Sequence, residues 1–582
     1  MQELKEQWKD IIAASLKKAA AQAGIEMDDP RTRIIVETPP KPEMGDLAFP
    51  MFPFARDFRK APPAIAADIA ASLGSDIPGE AKTAGPYINI FISRQAVFQS
   101  VLQSVGEKKD DYGRTGSLKG EKVMIEFSSP NTNKPLHLGH LRNDILGEST
   151  ARILEAAGAE VMKVNLINNR GVHICKSMLA YSKFGKGETP ESTGVKGDHF
   201  VGDYYVKYNN WAKEDSSADG QAQEMLKKWE DGDSATRELW KTMNKWTLDG
   251  INQTYEKTDI SFDRFYFESE TYLSGKDIVL KGLEDGHFYK DDDGSIRLDM
   301  SDIGLDTKVL LRGDGTSVYV TQDLGTAIAR HGDFPFDRLI YVVGNEQEYH
   351  FKVLFHTLKK LGYEWADQLY HLSYGMVNLP EGKMKSREGT VVDADDLLAQ
   401  LEELVVEEIK TKGREEELDD VTGTAHAIAL GALNYYLLHI SPLKDMVFNP
   451  KESLSFNGNT GPYMQYMGAR ISSMLRKYEE GDYSGGAFKP ELLASPEAWE
   501  LVKLIGAYPG MVDQAASEMN PSVIASFVYE LSRNFSRFYH ENPILNNDDA
   551  DLIVTRIELS KAVLQVLKNA FKLINIRFLE KM

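Results

Sequence analysis

Residues Val123–Gly158 read VMIEFSSPNTNKPLHLGHLRNDILGESTARILEAAG, and this stretch decides the fold. An apolar run (Val123–Phe127) leads into a polar loop and then a long periodic segment, so the order is strand, loop, helix. Pro135 suits a first helical turn and Gly158 suits the stop. His137 and His140, spaced i,i+3, would share a face at the helix N-terminus. Free backbone N–H groups and a partial positive charge there suit a phosphate. Gly139 between them removes a side chain, so a flat base or ribose could approach the backbone. Taken alone, two histidines at this spacing are more often plain surface or core residues. A metal site would need further ligands, and no nearby cluster supplies them.

Outward from this segment, strand-like runs alternate with helical ones from Val123 to about Phe448. Examples are VMKVNLI (Val161–Ile167), SVYVT (Ser317–Thr321) and LIYVVG (Leu339–Gly344). The alternation predicts an α/β core with a parallel sheet. Within it, the polar WAKEDSSADGQAQE (Trp211–Glu224) marks an insertion at about 185–290. Upstream, an amphipathic start, a Pro-rich passage and the strand-like GPYINIFIS (Gly85–Ser93) predict a small α+β domain over residues 1–110. The polar run Gly106–Lys122 reads as a linker, and the core spans 118–450. After about Asp395 the periodicity turns helical, as in AIALGALNYYLLHI (Ala427–Ile440), which predicts an all-α domain over 451–582.

The 582 residues are 42% hydrophobic and 27% charged, an ordinary globular composition that excludes a disordered or collagen-like chain. The single cysteine, Cys175, can form neither an internal disulfide nor a cysteine-based zinc site. Nothing approaches the ~18 consecutive apolar residues of a membrane-spanning helix. The start of the chain mixes Glu, Asp and Lys, unlike a secretion signal. A cytoplasmic protein without membrane attachment is the expectation. The net charge of −21 argues against a non-specific nucleic-acid coat, yet a local basic surface could still bind RNA.

A second motif, EGKMKSREGTVVDADDLL, covers Glu381–Leu398. Lys383, Lys385 and Arg387 in a Gly-flanked loop concentrate positive charge beside a mobile backbone, for which polyphosphate is the natural partner. A solvated basic turn is the plain alternative.

PLHLGHLRN resembles the HIGH signature of class I aminoacyl-tRNA synthetases, and the wider IEFSSPNTNKPLHLGHLRNDILGESTARIL resembles the arginyl-tRNA synthetase form of it. KMKSREG is similar to the KMSKS loop, but Ser386 stands where many class I enzymes carry their second lysine, with Lys385 one place early. The resemblance implies a Rossmann-like class I core and a substitute lysine just upstream of HIGH, the place of Lys134. It implies catalytic roles for His137, His140, Lys134, Lys383 and Lys385. ATP contacts would come from His137, Gly139, His140, Lys383, Met384, Ser386 and Arg387. The implied activity is ATP-dependent ligation of L-arginine to tRNA(Arg) through arginyl-adenylate, with Mg2+ accompanying the ATP, no metal ligand from the protein, and tRNA bound before activation.

A site selective for free arginine needs buried carboxylates for the guanidinium, because lysine or a neutral analogue then leaves them unpaired. Glu126 and Asp323, both read at strand ends, are the candidates, although either could be an ordinary salt-bridge partner. The resemblance implies guanidinium contacts from Tyr319 and Asp323 and a polar contact from Gln347. It implies contacts to the amino-acid main chain or to neighbouring ATP from Glu126, Ser129, Asn131 and His137. Asn169 stands where the family usually shows Asp, which weakens a charged role there.

Residues 1–110 resemble the additional N-terminal domain of arginyl enzymes, used on the tRNA elbow. Ser453–Lys477 resembles the start of their anticodon-binding domain. Tyr463, Tyr466, Arg470 and Met582 are the implied tRNA contacts, although Phe456, Tyr463, Tyr466 and Met467 could equally be helix-packing core. A monomer is expected, since no heptad seam is visible. Two rivals are a cysteinyl-type ligase, whose zinc cysteines are absent, and a catalytically dead RNA-binding relative.

Overall fold

A computed structural model describes residues 2–74, 77–272, 274–378, 380, 392–481, 483 and 485–582. Internal packing divides the chain into two units. The first comprises Met1–Gly113, Arg470–Met511 and Glu530–Asn569, and the second Arg114–Ala469, Val512–Tyr529 and Ala570–Met582. The stretch from 451, read from sequence as one domain, is thus shared between them.

In the first unit, β1 (Leu47–Pro50), β2 (Gly79–Ala84) and β3 (Tyr87–Ile92) form an antiparallel sheet in the order β1-β3-β2. The expected strand in GPYINIFIS is β3, with Ile88 and Ile90 fully buried. On the helix Gln2–Gln22, Trp8, Ile12 and Leu16 recur at i,i+4 and are all buried, which is the apolar stripe that holds an amphipathic helix in place. Helices of the later chain belong here too: Trp499 meets Phe98 edge-on at 5.9 Å, and Tyr112 donates to Ile505 O at 2.9 Å.

The second unit is built on β4 (Lys122–Glu126), β5 (Glu160–Ile167) and β6 (Arg264–Phe267). A small antiparallel sheet follows, β7 (Tyr289–Lys290), β8 (Ile296–Leu298) and β9 (Lys308–Leu311). β10 (Arg338–Gly344) and β11 (Leu369–Tyr374) return to the main sheet, whose order is β11-β10-β4-β5-β6, parallel throughout. Val123, Met124 and Ile125 of β4 are fully buried, as a central strand covered on both faces requires. After β6 the chain crosses to the other side of β4, so the strand order reverses between β4 and β10. In open α/β sheets a ligand crevice forms at the carboxyl ends of such a switch point.

Two expectations are corrected. SVYVT is not a strand: the helix Tyr319–Asp333 begins within it, so Asp323 stands on a helix and not at a strand end. Val320, Leu324 and Ala327 are buried at helical spacing, and the Val318 N–H bonds the Thr321 hydroxyl at 3.3 Å, starting the turn. The insertion is also shorter than 185–290. Its helices Gly197–Glu214, Ala218–Glu230 and Ser234–Thr258 end before β6, and β6 is part of the main sheet. A four-residue strand directly after a long helix carries too little pattern to be read.

The helix Leu138–Ala156 lies close on the end of β4 because Gly147 has no side chain. A Cβ there would collide with Cβ, Cγ and Cδ1 of Phe127. Gly147→Ala is expected to cost about 1–3 kcal/mol by overpacking, read as a lowered thermal midpoint. An unchanged midpoint would mean that Phe127 can swing aside.

Candidate active site

The loop after β4 carries two consecutive non-glycine residues in the left-handed region, Ser128 (φ 73°) and Ser129 (φ 49°). Strain of this kind persists only where the surroundings over-determine it. Here Asn143 Oδ1 accepts the Ser128 N–H at 2.5 Å and Asn165 Oδ1 accepts the Ser129 N–H at 3.1 Å. Asn168 Nδ2 donates to Ser129 O at 2.9 Å, and the Ser128 and Tyr255 hydroxyls share a hydrogen bond at 2.6 Å.

The helix then starts at Leu138 with His137 as its N-cap. His137 Nδ1 accepts the Gly139 N–H at 3.1 Å, and His140 Nδ1 accepts the His137 N–H at 3.1 Å. The two rings lie 3.9 Å apart, as the i,i+3 spacing predicts. Burial, with the Lys134 charge adding to it, pushes His137 down to about 4. Burial pushes His140 well below the ordinary value too, helped by His137 and Lys134. Both rings are therefore neutral at pH 7. With each Nδ1 used as an acceptor, each proton sits on Nε2, so both rings are donors. A Cβ on residue 139 would approach His137 Cε1 to 3.0 Å, so Gly139 leaves that ring its place. Lys134 is half-buried, its ammonium held below its usual range by burial, and it has no ion-pair or hydrogen-bond partner among the described residues.

Three consecutive polar residues on the buried side of this helix escaped the sequence reading. Arg142 is fully buried and donates to four carbonyls: Gly375 (2.7 Å), Met376 (3.2 Å), Pro442 (3.2 Å) and Lys444 (2.8 Å). Asn143, besides holding Ser128, donates to Val342 O of β10 at 2.7 Å. Burial pushes the Asp144 carboxyl up to about 8. The signal was slight: Arg-Asn-Asp stands between Leu141 and Ile145 in the second turn of a helix that carries further polar residues, so its burial is not marked in the pattern.

Lys383, Met384, Lys385, Ser386 and Arg387 lie outside the described residues. The chain that follows them is described, and it pairs with the start of the HLGH helix. Leu138 N donates to Val392 O at 3.1 Å, and Ala394 N donates to Leu136 O at 3.0 Å.

A cavity of about 660 Å3 opens at the carboxyl end of the sheet, with Asn131, Arg170, Glu268, Tyr319, Gln322 and Asp323 in its wall. Of the residues expected to hold the amino acid, Asn131, Tyr319 and Asp323 meet here. Tyr319 stands 79% exposed, and Asp323 Oδ2 lies 2.6 Å from His350 Nε2. Ser129, His137 and Gln347 do not line this cavity; Gln347 is exposed on the turn after β10. Glu126 is not the open carboxylate that the sequence suggested. One oxygen is paired with the buried Arg330, and the other accepts the Ser129 hydroxyl at 3.1 Å. It does share the wall of a smaller void, about 40 Å3, with Asp323.

Glu268 was missed by the sequence reading. It sits in the same wall as Asp323, and burial pushes its carboxyl up to about 7, with the Asp323 charge adding to the rise and Arg170 opposing it. Asn169, buried, explains its placement: its Oδ1 accepts the Ser269 N–H at 3.0 Å, fixing the turn that begins at Glu268. An amide suffices for that task, so the absent charge at Asn169 is no defect.

In the later helices, Met467 is core, whereas Tyr463 and Tyr466 are half-buried. The Arg470 guanidinium lies 4.1 Å from the Tyr539 ring centre, and Met582 O accepts from Arg414 Nη1 at 2.6 Å. Among the described residues no helix is long and apolar enough to cross a membrane.

Residues 101–450 match the family described as tRNA synthetases class I (R), catalytic domain. Residues 464–582 match a DALR anticodon binding domain and residues 6–92 an arginyl tRNA synthetase N-terminal domain. The arginine–tRNA ligase of Treponema denticola is 56% identical, and that of Treponema pallidum 51% identical, each over the whole of both chains. Among solved structures, the arginyl-tRNA synthetase of Thermus thermophilus superposes with a TM-score of 0.77 at 26% identity, covering 99% of each chain. The enzyme of Plasmodium falciparum gives 0.74 at 20% identity over 99% of this chain and 98% of that one, a likeness of fold alone. With its switch-point cavity, its capped HLGH helix and these matches along its whole length, the chain belongs to the arginyl-tRNA synthetases of class I.

Proposed function

We propose a division of labour among these residues in the ATP-dependent ligation of L-arginine to tRNA(Arg). The arginine guanidinium enters the large cavity and is held by Asp323 and Glu268, with Tyr319 at the mouth and Asn131 on the side toward the HLGH corner. One observation carries this assignment: two carboxylates share the wall of one cavity, and burial has raised one of them to about 7, so a cation there relieves an existing penalty. Glu126 acts from behind, holding Arg330 and the Ser129 hydroxyl and so keeping the loop in shape. Ser129, His137 and Gln347 meet the amino-acid main chain or the neighbouring ATP.

ATP arrives with Mg2+ as part of the substrate, the ion being held by phosphates and water. The arginine carboxylate attacks the α-phosphorus in line and pyrophosphate leaves. Positioning and charge stabilisation do most of the work in such a transfer. His137 and His140 donate from Nε2 to phosphate oxygens, Gly139 gives the nucleotide room, and Lys134 supplies positive charge. Lys383, Met384, Lys385, Ser386 and Arg387 complete the phosphate contacts, an assignment that rests on their motif. A hydroxyl of the tRNA's terminal adenosine then attacks the adenylate carbonyl and AMP leaves. Tyr463, Tyr466, Arg470 and Met582 are assigned to the tRNA, as is the N-terminal domain. The enzyme works as a cytoplasmic monomer.

Amino-acid-dependent ATP–pyrophosphate exchange, run with tRNA(Arg) present, tests this reading. Arginine should be preferred over lysine and over neutral citrulline by about 10⁴-fold or more in kcat/KM, since each analogue leaves a half-buried carboxylate of the cavity wall unpaired. Comparable exchange with either analogue would remove the assignment of Asp323 and Glu268.

A further inference from the structure

The inserted helices carry a cluster of charges with no assigned task. Asp395 Oδ2 accepts from Lys196 Nζ at 2.6 Å and from the Thr254 hydroxyl at 3.2 Å, and it lies 3.3 Å from His199 Nε2. Its Oδ1 accepts from Lys257 Nζ at 3.2 Å. Lys196 also reaches Asp198 Oδ2 at 3.0 Å, and His199 Nε2 lies 3.5 Å from Asp393 Oδ2. Asp198, His199 and Asp395 are close enough together to hold a metal ion. The Lys196 ammonium, however, already bridges the two carboxylates where a cation would sit, so the cluster reads as an ion-pair network.

Its position is what gives it meaning. Asp393 and Asp395 begin the helix Ala394–Thr411, and Val392–Ala394 is hydrogen-bonded to Leu136–Leu138. The other partners come from the start of the inserted helix Gly197–Glu214 and the end of the helix Ser234–Thr258. The first of these also touches the catalytic corner: a Cβ at Gly202 would lie 2.9 Å from Pro135 Cδ and 3.6 Å from Lys134 Cα. Gly197 and Gly250 let the two inserted helices close on each other, since a Cβ at either would collide with Trp246 or Asp198. One helix thus rests on Lys134 and also grips the segment paired with the His137 cap.

We propose that the Lys196–Asp395–His199 cluster is a positioning device for the reaction, registering the Leu136–Leu138 segment and its His137 cap against the inserted helix on which Lys134 rests. This goes beyond the assignment of the HLGH corner and rests on it. With His199 charged, three cations (Lys196, Lys257, His199) face three carboxylates (Asp198, Asp393, Asp395). The hydrogen bond to Asp395, with the charges of Asp393 and Asp198, holds His199 above its ordinary pKa, against burial and Lys196. Burial raises the Asp393 carboxyl, and Asp395 is held low by its cationic partners. A group raised on folding contributes fully below its ordinary value near 6.5 and loses its contribution as pH rises through the raised one. The clamp should therefore weaken above neutral pH.

Exchange kinetics of Asp395→Asn, Asp395→Glu and His199→Gln, followed from about pH 6 to 9 with tRNA(Arg) present, test the inference, with Lys134→Ala as reference. Asp395→Asn should lower kcat about tenfold or more with the arginine KM within about twofold, and Asp395→Glu should recover part of the loss. The wild-type kcat should fall on the alkaline side, and His199→Gln should abolish that fall. Wild-type kcat and an unchanged pH profile in both Asp395→Asn and His199→Gln would overturn the inference. So would a loss in Asp395→Asn accompanied by an equal rise in arginine KM and a lower melting temperature, the signature of a merely structural role. If Asp395→Asn fails to fold, the His199→Gln profile decides by itself. An unchanged kcat in Lys134→Ala would instead remove the Lys134 assignment on which the inference stands.

Discussion

Asp323→Asn is expected to raise the KM for arginine by ~10²–10³-fold, about 3–4 kcal/mol, while leaving the KM for ATP near its wild-type value. The substitution keeps the shape and removes the charge, so a guanidinium in the cavity would face one anion in place of two. The loss is large because the surviving partner is Glu268, whose carboxyl is already raised to about 7 by burial. The same group gives the prediction its pH dependence. In the free enzyme Glu268 is half protonated near pH 7, and a bound cation favours its charged form. Arginine binding should then release protons near neutral pH and weaken by up to tenfold per unit as pH falls below about 7. Glu268→Gln should bind arginine weakly and without that dependence. Calorimetry in two buffers of different ionisation enthalpy checks the proton count. Arginine affinity in Asp323→Asn within threefold of wild type would show that the guanidinium lies elsewhere.

Lys134→Ala is expected to lower the rate of arginyl-adenylate formation by ~10²–10³-fold with little change in arginine binding. In the structure Lys134 is half-buried, depressed by burial alone and without a partner among the described residues. An ammonium in that state gains more from an arriving phosphate than one already paired with a carboxylate, because its desolvation is still uncompensated. The effect should appear in kcat, since charge on the α-phosphate grows on the way to the transition state. Single-turnover measurement of pyrophosphate release separates this from product release. A Lys134→Ala enzyme with an unchanged single-turnover rate would end the assignment and leave the second-lysine role to the segment Lys383–Arg387.

Much of the site was legible because its signals are local. The HLGH spacing placed two rings on one helix end, and the structure puts them 3.9 Å apart. β4, β5 and β10 fall where the apolar runs lie; β4 and β10, the most buried, carry unbroken runs, whereas that of β5 is interrupted by Lys163 and Asn165. Ser317–Thr321 misled for the same reason. Its alternation is that of a strand, but the contacts that favour a helix come from Leu310 O, which takes the Thr321 hydroxyl, and from Ser274 and Gly275, packed close on Gly325. None of these is a neighbour in sequence.

The sequence by itself determined the strand–loop–helix corner, the order of the α/β core and the helical end of the chain, since each follows from periodicity and turn chemistry within one segment. Only the tertiary structure decided which carboxylates face the cavity. It paired Glu126 with Arg330, a residue 204 positions away, and set Glu268 beside Asp323 through a turn that Asn169 holds. A carboxylate's availability depends on whether a cation from elsewhere in the fold reaches it first, and spacing along the chain does not encode that.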